Sequence, residues 1–99
     1  MSYVVELALF KLKEGVREED FLHVSDKFQK GFIKLQKGYI KRELLVSGQT
    51  WADYIVWETM EDAQNAAAAF RTDKYAIEYM GCFQQPSVSL NHYLVLSNV

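Results

Sequence analysis

The opening segment of the chain predicts a strand that is covered on both faces. Its alternating positions form two apolar sets, one of Tyr3, Val5, Leu7 and Leu9 and the other of Val4, Ala8, Phe10 and Leu12. A strand that is apolar on both sides is normally buried on both sides. Glu6 is the charged exception within residues 3–10, and it shares its side of the strand with the second set.

The next segment shows the spacing of an amphipathic helix. Its apolar residues recur at steps of three and four, at Phe21, Val24, Phe28, Phe32 and Leu35. Acidic residues 18–20 precede this face, where the positive end of a helix dipole favours negative charge. Gly38 provides the expected end of the helix.

A hairpin and a second helical segment follow. Residues 39–46 and 51–58 are predicted strands. The short polar loop between them contains a glycine, which indicates a hairpin. Thr59 then begins an alanine-rich helix with a capping pattern. We expect residues 72–73 to break this helix and to cap a short second helix. The last predicted strand covers residues 88–96.

This order of strand, helix, strand, strand, helix, strand predicts one α+β domain over residues 1–99. With right-handed crossovers, the order gives a ferredoxin-like βαββαβ fold. Its four-stranded antiparallel sheet carries both helices on one face.

The other face of the sheet is also apolar, and a patch of that size exceeds what a monomer usually exposes. We therefore expect a homodimer whose sheets face each other as a dimeric α/β barrel.

Composition and charge narrow the function classes. The chain has 99 residues, with 11 basic and 13 acidic side chains and a net charge of −2, which excludes a strongly basic nucleic-acid binder. No apolar run approaches the length of about 18 residues that a membrane span needs. We interpret the N-terminus as a strand and not a secretion signal. The single cysteine, Cys82, excludes an internal disulfide framework, so we expect a cytoplasmic protein.

Three stretches of the sequence resemble dimeric α/β-barrel proteins. They are residues 5–15, residues 53–63 with a strand that ends in tryptophan before an alanine-rich helix, and residues 87–93. The resemblance is closest to small members of the antibiotic-biosynthesis-monooxygenase-like group. It implies a cofactor-free enzyme that acts on electron-rich polycyclic aromatic molecules through a dry aromatic pocket and a base. The wider superfamily also contains haem-degrading enzymes, isomerases and cyclases, so the resemblance is specific for the fold and not for the activity.

Glu6 and His92 are the candidate catalytic residues. Each interrupts an apolar stripe near the middle of a strand, and the first and last strands are neighbours in this topology. We therefore expect the two side chains to meet in the barrel cavity between the sheets. A carboxylate stabilises a charged imidazole and orients its ring, so the pair suits a general base. The alternative is a structural polar contact without a catalytic role.

Arg42, Trp51, Asp53 and Trp57 are the candidate substrate-binding residues. Arg42 and Asp53 lie on the two hairpin strands, where an ordinary structural ion pair is the alternative to a ligand contact. Trp51 and Trp57 provide the walls expected of a pocket for a small hydrophobic or aromatic molecule, and the alternative is plain core packing.

Other functions have less support in the sequence. Haem-degrading relatives carry a histidine near the end of the second helix, and residues 60–80 contain none. RNA-recognition domains need a basic residue on the third strand, where this chain has Asp53. His23 and Cys82 have no partners at metal-ligand spacing, so we expect neither a metal nor another cofactor. A non-enzymatic small-molecule sensor or a structural dimer stays open as the alternative function.

Overall fold

The computed structural model describes residues 2–99. Its strands are β1 (Val4–Phe10), β2 (Tyr39–Ser47), β3 (Thr50–Trp57) and β4 (Ser89–Leu94), and its helices are α1 (Glu18–Gly31), α2 (Met60–Phe70) and α3 (Lys74–Met80). Two short 3₁₀ turns cover Ile33–Leu35 and Gln85–Ser87. No helix within residues 2–99 has the length and the apolar character needed to cross a membrane.

The sheet has the strand order β2-β3-β1-β4, and all three pairings are antiparallel. This confirms the predicted ferredoxin-like topology. The register decides which residues share a face, since side chains that lie directly opposite each other point to the same side. Glu6 lies opposite Ile55 on β3 and opposite His92 on β4, so the centre of one sheet face holds all three side chains.

Helix α1 ends earlier than its apolar spacing predicts. It stops at Gly31, and a separate 3₁₀ turn carries the chain towards Gly38. The chain then enters β2 directly after Gly38, which adopts a positive φ of 84°, a conformation that favours glycine. The buried face of α1 consists of Phe21, Ser25 and Phe28.

The predicted break in the alanine-rich segment is confirmed. Thr59 Oγ1 accepts a hydrogen bond from the Asp62 backbone N–H at 3.0 Å, which caps α2. Asp73 Oδ2 accepts from the backbone N–H groups of Tyr75 and Ala76, both at 2.9 Å, which caps α3. The two caps divide one apolar segment into two helices, of which α2 lies over β1, β3 and β4 and α3 packs mainly against α1.

The hydrophobic core lies between the three helices and one face of the sheet. Aromatic rings dominate it: Phe10, Phe21, Phe28, Tyr79 and Phe83 stack or meet edge to face within this layer. The opposite face keeps much of its apolar surface, with 37% of Leu9, 48% of Leu45 and 50% of Tyr93 exposed. One face of the sheet is therefore packed by the chain itself, and the other is not.

Candidate functional site

A small pocket lies in the core layer, between the sheet and α2. It has a volume of about 120 Å³, and we call it the α2 pocket. Its sheet side includes Glu6, Ala8 and Ile55, and its helix side includes Ala66, Ala67 and Phe70. The alanine side chains of α2 are too short to fill the space above the sheet. Most of the remaining lining is apolar, so Glu6 is an unusual group here.

The predicted contact between Glu6 and His92 is confirmed. His92 Nε2 lies 3.0 Å from Glu6 Oε1, at the register position where β1 and β4 face each other. The side chains are 15% and 19% exposed, so bulk water screens their interaction only in part. The contact fixes the Glu6 carboxyl group at the wall of the pocket.

The expected position of this pair was wrong. We expected it in a cavity between two facing sheets, but Glu6 shares its face with Val4 and Phe10, which are completely buried beneath the helices. The two-sided apolar pattern of β1 does not distinguish the two faces, so the sequence alone left this choice open. The pocket that Glu6 lines is formed within one chain.

Glu6 has a raised pKa. Burial is the largest cause, because it penalises the carboxylate, and the negative charge of Asp53 adds to it. The hydrogen bond and the charge of His92 lower the pKa of Glu6. The indole of Trp57 also lowers it, and its effect is the smallest of these. A carboxylate with a raised pKa holds a proton more firmly, which makes Glu6 a better general base than a solvent-exposed glutamate.

Trp57 brings an unsatisfied donor to the same pocket. The residue is fully buried and lines the pocket, and its Nε1 has no hydrogen-bond partner within residues 2–99. Trp57 lies opposite Val4 on β1, two residues from Glu6, so both side chains occupy the same face of the sheet. Buried donors are rarely left unpaired, so this N–H is an unusual feature of the core.

Arg42 and Asp53 form the ion pair that the sequence left open as the alternative to a ligand contact, and it is buried. Arg42 Nε and Nη2 donate to Asp53 Oδ1 and Oδ2 at 2.8 and 3.1 Å, and the side chains are 6% and 5% exposed. Arg42 Nη2 also donates to Ser25 Oγ at 2.8 Å and to the Tyr79 hydroxyl at 3.1 Å. Tyr79 in turn donates to Asp53 Oδ2 at 2.6 Å.

This network joins α1 and α3 to the hairpin and leaves little capacity for a ligand. Burial is the main reason that the pKa of Tyr79 is raised well above its ordinary value, so its hydroxyl stays a donor to Asp53. Ser25 and Tyr79 were not predicted as parts of a polar site. Both occupy helical faces that look like ordinary core positions, and only the folded chain brings them to Arg42.

The candidate substrate-binding residues therefore separate into two groups. Asp53 and Trp57 line the α2 pocket, whereas Arg42 and Trp51 do not. Trp51 packs edge to face against Phe21, with ring centres 5.0 Å apart, and its other side borders an open surface depression near the β2–β3 loop.

The fold is shared with a group of known structures. A Bordetella bronchiseptica protein assigned to the antibiotic biosynthesis monooxygenases superposes with a TM-score of 0.77 at 19% identity, over 100% of this chain and 99% of that one. The chain has the antibiotic biosynthesis monooxygenase fold. SnoaB, a cofactor-independent oxygenase from Streptomyces nogalater, superposes with a TM-score of 0.67 at 14% identity, over 100% of this chain and 96% of its own.

A third protein of the same assignment, from Nitrosomonas europaea, superposes with a TM-score of 0.62 at 14% identity, over 94% of this chain and 86% of its own. At these identities the likeness concerns the fold. No protein-family model matches the sequence. No curated protein matches it either.

Proposed function

We propose that this chain binds a small aromatic molecule in the α2 pocket and that Glu6 removes a proton from it. The observation that carries the proposal is a buried carboxyl group, held by His92, at the wall of a mostly apolar pocket. Such a group is costly to bury, and perturbed carboxyl groups in pockets are characteristic of acid–base sites. We propose the reaction type of SnoaB, a cofactor-independent oxygenase with the same fold.

In this reaction the electrons come from the substrate and the oxidant is dioxygen. Glu6 accepts an acidic hydrogen of the substrate as a proton, which leaves an electron-rich ring carbon. That carbon bonds to dioxygen, and the proton returns to give a hydroperoxide. Loss of water then breaks the O–O bond and leaves a carbonyl group, so one oxygen atom enters the product and the other leaves as water. The protein's part is to exclude solvent, orient the ring and hold the proton.

Binding is tested by a substitution that fills the pocket from its helix side. Ala67→Leu places a larger side chain among the lining residues, whereas Ala68→Leu makes the same change at an exposed position of the same helix. Calorimetry with toluene, ortho-cresol and α-naphthol should show binding that the Ala67 variant loses and the Ala68 variant keeps. Equal binding by both variants would contradict the proposed site.

The test of chemistry measures dioxygen consumption with the aromatic probe that binds. Glu6→Gln keeps the size of the side chain and removes the base, and proton transfer by a positioned side chain typically contributes about 100-fold or more to a rate. We expect the variant to bind the probe and to lose its oxygen consumption. Binding without oxygen consumption by the unmodified protein would support the non-enzymatic sensor instead.

We further propose that a second copy of the chain covers the open face of the sheet. Leu9, Leu45 and Tyr93 lie on this face and are each more than a third exposed. Burial of their surface against the same residues of a second copy is favourable and needs no other partner. Because the α2 pocket lies on the opposite side of the sheet, the proposed dimer leaves it intact.

A further inference from the structure

Within residues 2–99, the α2 pocket offers a ligand hydrogen-bond acceptors but no free side-chain donor. The lining side chains that carry nitrogen or oxygen are those of Glu6, Asp53, Trp57 and Tyr79. The N–H of Trp57 is fully enclosed, and the Tyr79 hydroxyl donates to Asp53. Both carboxylate oxygens of Asp53 already accept hydrogen bonds from Arg42. Among these lining groups, Glu6 is therefore the one left for a bound molecule.

Glu6 has an oxygen that the protein does not use. Its Oε1 lies 3.0 Å from His92 Nε2, whereas its Oε2 has no hydrogen-bond partner within residues 2–99. Oε2 keeps some accessible surface, because the side-chain polar atom that is both enclosed and unpartnered in this part of the chain is Trp57 Nε1. An ionised carboxylate only accepts hydrogen bonds. The polar group of a ligand must therefore donate, and a positively charged donor makes the stronger bond.

The surroundings of this oxygen favour a positive charge. No lysine, arginine or histidine side chain lines the α2 pocket within the described residues. Much of the lining is aromatic, with the rings of Phe32, Phe70 and Phe83, and the faces of aromatic rings attract cations. An apolar pocket without a carboxylate would reject an ammonium group, because burial of an unpaired charge is costly. Entry of a cation therefore depends on Glu6.

The pocket volume of about 120 Å³ restricts the ligand to a small molecule, since an apolar cavity of about 150 Å³ in another protein takes up benzene. Resting on the α2 pocket as the binding site of the proposed function, and not on its oxygen chemistry, we infer that this pocket selects small apolar molecules with a protonated amino group. The amino group donates to Glu6 Oε2, and the apolar part lies against the aromatic rings and the alanine face of α2. Benzylamine has this chemistry.

Calorimetry with toluene, benzyl alcohol and benzylamine tests the inference without requiring turnover. The three probes share one ring and differ in a methyl, a hydroxymethyl or an aminomethyl group. At pH 8 an aliphatic amine is still protonated. Hydrophobicity alone ranks toluene as the tightest ligand, so a reversed order is diagnostic. We expect benzylamine to bind about tenfold more tightly than benzyl alcohol, since a hydrogen bond between charged groups is roughly twice as strong as a neutral one.

Glu6→Gln provides the matched variant, because it keeps the size of the side chain and removes its charge. It should weaken benzylamine binding about tenfold or more and change toluene binding less than about twofold, which shows that the pocket is intact. Glu61→Gln removes the same charge from an exposed position of α2 and should leave benzylamine binding unchanged. Ala67→Leu should abolish the binding of all three probes.

The possible failures are distinguishable. Benzyl alcohol or toluene binding as tightly as benzylamine would overturn the selection of a cation while leaving the proposed binding site in place. A benzylamine preference that survives Glu6→Gln, or that is lost equally in Glu61→Gln, would overturn the role of Glu6. Benzylamine binding that survives Ala67→Leu would place the cation outside the α2 pocket. Absence of binding by all three probes would overturn both the inference and the proposed function.

Discussion

Arg42→Met is the most informative test of how the polar residues hold the fold together. The substitution removes every hydrogen bond of the guanidinium group and keeps an unbranched side chain of similar reach. It leaves Asp53 buried, with Tyr79 as its remaining hydrogen-bond donor within residues 2–99. It also removes the packing of the guanidinium group over the rings of Phe28 and Tyr79, at 5.1 and 5.3 Å.

The expected loss of stability follows from the burial of the Arg42–Asp53 ion pair. Removal of one partner of a buried ion pair costs about 3–5 kcal/mol, because an uncompensated charge stays in the interior. Both side chains are almost completely inaccessible, so no reduction for solvent screening applies. A domain of this size has a total stability of about 5–15 kcal/mol, so the variant should lose a large part of it. The melting temperature should fall by roughly 12 °C or more.

Urea unfolding followed by the fluorescence of the two buried tryptophans measures this loss. The double variant Arg42→Met with Asp53→Leu is the control, since removal of both charges is often nearly neutral. The double variant should therefore be more stable than Arg42→Met alone. A loss below about 1 kcal/mol for Arg42→Met, or additive losses in the double variant, would refute the reasoning.

Three further predictions concern other parts of the molecule. The raised pKa of Glu6 means that folding favours its neutral form, so its stabilisation is present below the ordinary value of 4.5 and is lost as pH rises through the folded pKa. Glu6→Gln should therefore gain stability relative to the unmodified protein from about pH 4 to 7 in thermal melts, and a constant difference would contradict this. Leu7→Lys on the open sheet face should halve the mass found by light scattering, and an unmodified protein with the mass of one chain would refute the proposed dimer. Gly31→Ala should cost about 1–3 kcal/mol in urea unfolding because its Cβ meets the Tyr75 ring, whereas an unchanged midpoint would show that the ring moves freely.

The fold was predictable because local signals and apolar periodicity agree along the chain. The strand order makes β1 and β4 neighbours, and the central position of Glu6 and His92 in their strands was enough to predict that they meet. Arg42 and Asp53 on the hairpin form the ion pair that the sequence left open as the alternative to a ligand contact. Glu6 and His92 lie directly opposite each other on neighbouring strands, whereas Arg42 lies opposite Ile55 and reaches Asp53 diagonally.

The position of the pocket was not predictable in the same way. Both faces of β1 are apolar, so the pattern does not show which one the helices cover. The alanine run of α2 predicts a helix, but it does not indicate that the structure leaves space between Ala66, Ala67 and the sheet. The free N–H of Trp57 is a property of three-dimensional packing, and no sequence pattern distinguishes it from that of a satisfied core tryptophan.

A crystal structure of the protein with ortho-cresol tests the central claim most directly. The account predicts the ring in the α2 pocket beneath Ala67, with its oxygen atom within hydrogen-bond distance of the Glu6 carboxyl group. Ortho-cresol bound only on the open sheet face, with the α2 pocket unchanged, would contradict it.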